Sequence, residues 1–262
     1  MKFFNSWRVR KPETDNESAY ISEKFGVRSL HIGSDTIQSS MRIARPNDLE
    51  IAYTRSMMAF LLFGSAPREV LMIGLGGGSL AKFIYHRIPN ARIVAVEVNP
   101  RVVELARGYF CVPPDDDRLE IKVADASSYI EGYDRAADVL LLDGYDAEAQ
   151  VEALATAAFY RQCARALAAS GILVVNLWGG DRNFTTCVER IGHAFGGRVA
   201  CLPAGRPGNI VVLGFKQSPG EPRWEDLRAR AVSLERAYGL EFSAFVQQLP
   251  QMNPADADRL LI

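Results

Sequence analysis

Hydrophobic positions along this chain change period several times, and each change marks an element. Residues 1–24 are mostly polar and mixed in charge, which predicts a loose arm with one aromatic anchor, Phe3, Phe4 or Trp7. From residue 27 the pattern alternates: Val27–Ile32, a Gly33-Ser34-Asp35 turn, then Thr36–Ala44. Alternation around a glycine turn predicts a β-hairpin. Ile51, Met58, Leu61 and Leu62 stand near helical spacing, so 47–63 reads as a helix capped by Asn47 or Asp48 and stopped by Gly64.

Beyond Gly64, short apolar runs alternate with helical stretches. The runs are 69–73, 92–97, 119–123, 138–142, 172–177, 198–202 and 210–215; helices are predicted at 80–88, 100–109, 151–167 and 183–195. Strands separated by helices imply a parallel sheet with helices on both faces. The last two strands lack a helical crossover, so one of them should run antiparallel. A Pro- and Gly-rich joint at 218–222 leads to a charged helical tail from Trp224 to Gln248 and a Pro-flanked end piece. The expected fold class is α/β: a doubly wound, Rossmann-like sheet with a small N-terminal β-hairpin domain and a helical C-terminal tail. The divisions fall at 1–64 (arm, hairpin and linking helix), 65–217 (nucleoside-binding catalytic domain) and 218–262 (tail).

Right-handed crossovers put the C-terminal tips of the strands on one edge. That edge gathers the turn Gly74-Leu75-Gly76-Gly77-Gly78 with Glu97, Asp125 and Asp143. A dinucleotide fingerprint starting at Gly74 needs Gly or Ala at position 79, where Ser79 stands; the pattern is instead G-x-G-x-G at Gly74, Gly76 and Gly78. Glu97, nineteen residues after Gly78, ends the second strand. A carboxylate there can accept hydrogen bonds from both hydroxyls of a ribose.

Composition narrows the classes. Of 262 residues 48% are hydrophobic and 23% charged, with a net charge of −1, which gives no electrostatic footprint for nucleic acid. Cys111, Cys163, Cys187 and Cys201 are scattered without a C-x-x-C, and His31, His86 and His193 do not cluster with them. They read as reduced core thiols of a cytoplasmic protein, with no metal site. No signal peptide is legible in 1–20, and the longest apolar run, 57–63, is too short to span a bilayer.

Several segments, taken in order, resemble the spermidine synthase family of polyamine aminopropyltransferases. Residues 30–38, LHIGSDTIQ, are similar to the family's strand–turn–strand ending in V-I-Q, and 48–53, DLEIAY, to its D-E-F-x-Y. Residues 70–74, VLMIG, resemble V-L-I-I-G; 116–119, DDRL, resemble D-D-P-R; 159–163, FYRQC, resemble F-Y-x-x-C/L. Residues 203–208, PAGRPG, sit where the family has P-T-Y-P-S-G. The resemblance runs from about Phe25 to Phe215.

It implies a class I methyltransferase-like α/β domain, a homodimer or larger assembly, decarboxylated S-adenosylmethionine as co-substrate and a small amine as acceptor, without metal, nucleic acid or membrane. By position it implies that Gln38 and Tyr53 flank the nucleoside, Glu97 holds the ribose and Asp125-Ala126 the adenine. Asp143 meets the attacking amine, Asp146 falls on the second acid of D-S-S-D, and Tyr145 lies between them. A carboxylate beside that amine can hold it in line and accept its proton. Two departures stand out. The aspartate of the family's G-G-G-D-G-G is matched here by Gly77, and Arg206 is taken to replace the tyrosine of the amine pocket. Both changes predict a pocket less favourable to cations and more tolerant of intact S-adenosylmethionine. A methyltransferase using intact S-adenosylmethionine, or a non-catalytic protein with this fold, remain the alternative readings.

Overall fold

The computed structural model of the protein describes residues 19–144, 152–205 and 208–262. Strands β1 (Ala19–Lys24), β2 (Val27–Ile32) and β3 (Ile37–Arg42) form an antiparallel sheet in that order. The expected hairpin is β2–β3. The stretch just before it is not a loose arm: β1 pairs along all of β2, from Ala19 opposite Ile32 to Lys24 opposite Val27. None of its six residues is fully buried, and only Ala19 and Ile21 pack against a small apolar cluster, so the backbone ladder carries much of its order and periodicity had little to report. Phe3, Phe4 and Trp7 lie outside the described residues.

The expected helix at 47–63 is shorter and of two kinds. Helix α1 (Ala52–Met57) passes into a 3₁₀ stretch, Met58–Leu62. Ile51 precedes it without a side-chain cap, so Asn47 and Asp48 cap nothing there. All five residues of the 3₁₀ stretch are buried, so burial on every side, not one amphipathic face, sets this segment.

The large sheet follows as β4 (Glu69–Ile73), α2 (Ser79–Arg87), β5 (Arg92–Glu97), α3 (Pro100–Tyr109), β6 (Leu119–Val123), α4 (Ala126–Glu131) and β7 (Ala137–Leu142). It continues with α5 (Ala157–Ala166), β8 (Leu167–Trp178), α6 (Phe184–Ala194), β9 (Val199–Pro203) and β10 (Asn209–Phe215). The spatial order is β6-β5-β4-β7-β8-β10-β9. β10 runs antiparallel to both neighbours, and the remaining strand pairs are parallel. Two local expectations need correction. The turn after β6 winds into α4, and α5 begins at Ala157, capped by Thr156, whose hydroxyl accepts the Phe159 N–H at 3.1 Å. A 3₁₀ turn, Glu152–Ala155, precedes it.

Both faces of the sheet are covered, which is why its strands are apolar throughout. Val70 and Met72 of β4 join one core, and Leu71 and Ile73 the other; β7 divides in the same way, Val139 and Leu141 from Leu140 and Leu142. The tail belongs to the first core. Helix α7 (Trp224–Tyr238) and helix α8 (Phe242–Gln248) bury Trp224, Leu227, Phe242, Phe245 and Val246 in it. Asn253 then pairs with the edge strand β9, accepting from the Cys201 N–H and donating to the Cys201 carbonyl, both at 2.7 Å.

Lys82 ties the two sheets together. Its side chain on α2 is wholly buried, and its Nζ donates to the carbonyls of Phe110 (2.6 Å) and Pro46 (2.7 Å). Burial lowers its pKa from 10.5 to about 8. Cys163, Cys187 and Cys201 are buried as expected of core thiols, but Cys111 is exposed. It follows Phe110 at the end of α3 in a left-handed conformation that turns it outward (φ 58°). Among the described residues no helix is long and apolar enough to cross a membrane.

Candidate active site

The carboxyl-end edge of the sheet opens into a cavity of about 950 Å³, within the range of small-molecule sites. Its floor is the turn after β4. Gly74 sits at φ 89°, and a Cβ there would stand 2.4 Å from the Asp143 carbonyl oxygen. Only glycine lets the tips of β4 and β7 approach this closely. Gly76 and Gly78 also have positive φ, and Gly78 precedes α2.

Glu97 ends β5 and is 9% exposed. One carboxylate oxygen accepts the Leu75 N–H at 2.9 Å and the other the Asn99 N–H at 3.0 Å. The carboxylate thus holds the glycine turn in shape while it lines the cavity. Gln38, Tyr53, Gly74, Gly76 and Ala126 line it too. Asp125 does not: it is exposed, and its carboxylate caps α4 by accepting the Ser128 N–H at 2.8 Å. That bond pulls its pKa below the ordinary carboxylate value.

Asp143, one residue past β7, lies half-buried in the cavity wall. Burial raises its pKa, against two hydrogen bonds that lower it. The Asn176 side-chain amide donates to one carboxylate oxygen and the Tyr53 hydroxyl to the other, each at 2.9 Å. Asn209 in turn donates to the Asn176 side-chain oxygen at 2.9 Å. Asn176, Asn209, Trp178 and Asp181 line the cavity, and none was anticipated from sequence. Asn176 had left a signal, a lone amide within the apolar run of β8. The described lining residues carry three carboxylates, those of Glu97, Asp143 and Asp181, and no Lys, Arg or His.

Two sequence expectations change here. Gly77 is not among the described lining residues; a Cβ there would meet the Ser39 hydroxyl at 2.6 Å and the Phe110 ring at 2.9 Å. A side chain at 77 would therefore require Ser39 or Phe110 to shift. Aligned without a gap, the tyrosine of P-T-Y-P-S-G stands against Gly205, not Arg206, and a Cβ at 205 would lie 2.8 Å from the Ala52 methyl. Arg206, Tyr145 and Asp146 lie outside the described residues.

The sequence model of the spermine/spermidine synthase domain matches residues 50–179. A polyamine aminopropyltransferase from Chromobacterium violaceum is 45% identical over 255 residues, 97% of this chain and 98% of that protein. Among solved structures, a probable spermidine synthase from Corynebacterium glutamicum superposes with a TM-score of 0.68 at 20% identity, over 84% of this chain and 88% of that one. Human methyltransferase-like protein 13 in complex with SAH superposes at 0.65 and 23% identity, over 72% and 92%. At these identities the two structures speak to the fold alone.

Proposed function

The chain belongs to the spermine/spermidine synthase family, and from that premise we propose that it is a polyamine aminopropyltransferase. It would take decarboxylated S-adenosylmethionine and a small amine, in the cytoplasm and as a homodimer. The observation that carries this reading is the sign of the cavity: three carboxylates and no basic side chain among its described lining residues. Both substrates are cations, a sulfonium bearing an aminopropyl chain and a polyamine. Intact S-adenosylmethionine adds a carboxylate that this lining leaves without a cationic partner, so the decarboxylated form is favoured.

Nucleoside binding follows from the acidic tip of β5. Glu97 would accept the ribose hydroxyls with lone pairs not used by Leu75 and Asn99. Ala126 and Leu75 add apolar surface for the base. At the other end Asp143 would hold the attacking amine. Its nitrogen lone pair forms a bond to the propyl carbon next to sulfur, the C–S bond electrons return to sulfur, and neutral methylthioadenosine leaves. The proton released from nitrogen passes to the Asp143 carboxylate. Raising that carboxylate's basicity by burial suits the task, and the Tyr53 and Asn176 bonds keep it ionised. Much of the remaining acceleration comes from alignment of the two substrates.

Titration calorimetry with the decarboxylated and the intact nucleoside, followed by turnover with putrescine, tests this. The expected outcome is tighter binding of the decarboxylated form and methylthioadenosine release only when amine is present. Preference for the intact form, or methyl transfer, would establish a methyltransferase instead; binding of neither would indicate a protein that keeps only the fold.

A further inference from the structure

Three neighbouring strands end in polar side chains on one face of the sheet. On that face β7 reads Val139, Leu141, then Asp143; β8 reads Ile172, Val174, then Asn176; and β10 reads Leu213, Val211, then Asn209. Asp143 falls one step beyond the Leu142–Val175 pair, level with Asn176. Asn209 is the diagonal neighbour of Asn176, since Val211 stands directly opposite it. The resulting chain of bonds runs from Asn209 to Asn176 to Asp143, each at 2.9 Å.

An amide side chain can turn about its last torsion and exchange oxygen for nitrogen. With its nitrogen toward Asp143, Asn176 can stabilise only an ionised carboxylate. With its oxygen toward Asp143, it would repel the anion and welcome the acid. Asn176 is 3% exposed, so little water is available to compensate for a wrong orientation. The Asn209 amide, donating to the Asn176 oxygen, favours the orientation that turns the Asn176 nitrogen toward Asp143.

We propose that Asn209 is a positioning residue for amine transfer, which acts through Asn176 to hold Asp143 in the ionised, proton-accepting form. Among the described residues, these groups face Asp143 or share its cavity. From α1 comes the Tyr53 hydroxyl and from β8 the Asn176 amide, and the carboxylates of Glu97 and Asp181 line the same cavity. Loss of the Asn209 donor therefore has no nearby cation among the described lining residues to offset it.

The role presupposes that Asp143 takes the proton in the proposed reaction, so the test uses one readout that needs no turnover. Carbon-13 NMR of aspartate-labelled protein follows the Asp143 carboxyl through a pH titration, with its signal assigned by its absence in Asp143→Asn. Asn209→Leu, or Asn209→Ala if leucine is not accommodated, should raise the proton affinity of Asp143 about tenfold. The acid limb of kcat/KM for putrescine should move up by the same factor, while methylthioadenosine affinity stays unchanged. In an Asn176→Leu background the same substitution should have no further effect on the titration, because nothing remains to be oriented. An unmoved titration in the single variant, or a full shift that persists in the Asn176→Leu background, would overturn the proposal. A moved titration in a protein without aminopropyl transfer would sustain the hydrogen-bond relay and reject only the reaction assigned to it.

Discussion

At the scale of single residues, the site depends on two carboxylates with different burdens. Asp143 is enclosed, which lifts its pKa, while Asn176 and Tyr53 pull it back down. Because a proton-accepting carboxylate must be ionised, the acid limb of the rate profile should lie above the ordinary carboxylate range. Tyr53→Phe removes one of the lowering bonds and should move that limb further up; an unmoved limb in the variant would mean that the phenol does not act on Asp143. Asp143→Asn should bind methylthioadenosine normally and lose about 10²–10⁴-fold in rate, the range for general acid–base groups. Glu97 carries a second duty, accepting the Leu75 and Asn99 N–H groups. Glu97→Gln is therefore a milder test of the ribose than Glu97→Ala. It should weaken methylthioadenosine binding by about 1.5–3 kcal/mol, the worth of hydrogen bonds to a charged group, measured by calorimetry on a variant of unchanged fold.

At the scale of elements, the glycine turn after β4 and the lysine on α2 are the points of least tolerance. Gly74→Ala places a methyl group into the Asp143 carbonyl at a left-handed backbone position. A fall in both melting temperature and nucleoside affinity is expected, since the tips of β4 and β7 must separate. Lys82 joins α2 to the ends of α3 and of the N-terminal segment through two carbonyls. Lys82→Met leaves both carbonyls without that partner, at about 1–3 kcal/mol for each buried group left unsatisfied. The sign with pH follows from linkage. The folded pKa of about 8 lies below the ordinary 10.5, so between those values the unfolded chain binds more protons and stability rises with pH. Denaturation of wild type and Lys82→Met at pH 8 and pH 10 should show the wild-type advantage widening at the higher value. A constant difference would mean that Lys82 does not titrate in this window.

At the scale of the molecule, the C-terminal helices behave as part of the core. Trp224, Phe242, Phe245 and Leu249 pack with the buried residues of the large sheet, Arg55 and Glu241 pair at 2.7 Å, and Arg230 donates to the Leu61 carbonyl at 2.6 Å. Truncation after residue 223 should expose that face and give insoluble or dye-binding protein; a soluble, active truncation would show that the tail is dispensable. The N-terminal sheet ends in two free edges, β1 and β3, among the described residues. Such edges call for cover, in keeping with the proposed homodimer. Sedimentation at micromolar concentration should therefore give a dimer, and a monomer would reject that assembly without touching the fold.

The sequence by itself determined the alternation of strands and helices, the single antiparallel strand, the glycine turn and the acidic tips of β5 and β7, because each leaves a local mark in period, spacing or residue type. It overstated the helix at 47–63, where complete burial of 58–62 imitates an amphipathic stripe, and missed β1, which pairs along all of β2 but puts only Ala19 and Ile21 against an apolar cluster. Charges at 77 and 206 were weighed for the pocket, yet the room for a side chain at 77 is limited by Ser39 and Phe110, which lie far from it in sequence. Only the tertiary structure placed Asn176 and Asn209 beside Asp143. The polar end of each strand is visible in the sequence, but which strands adjoin, and in what register, is decided by the sheet order β7-β8-β10.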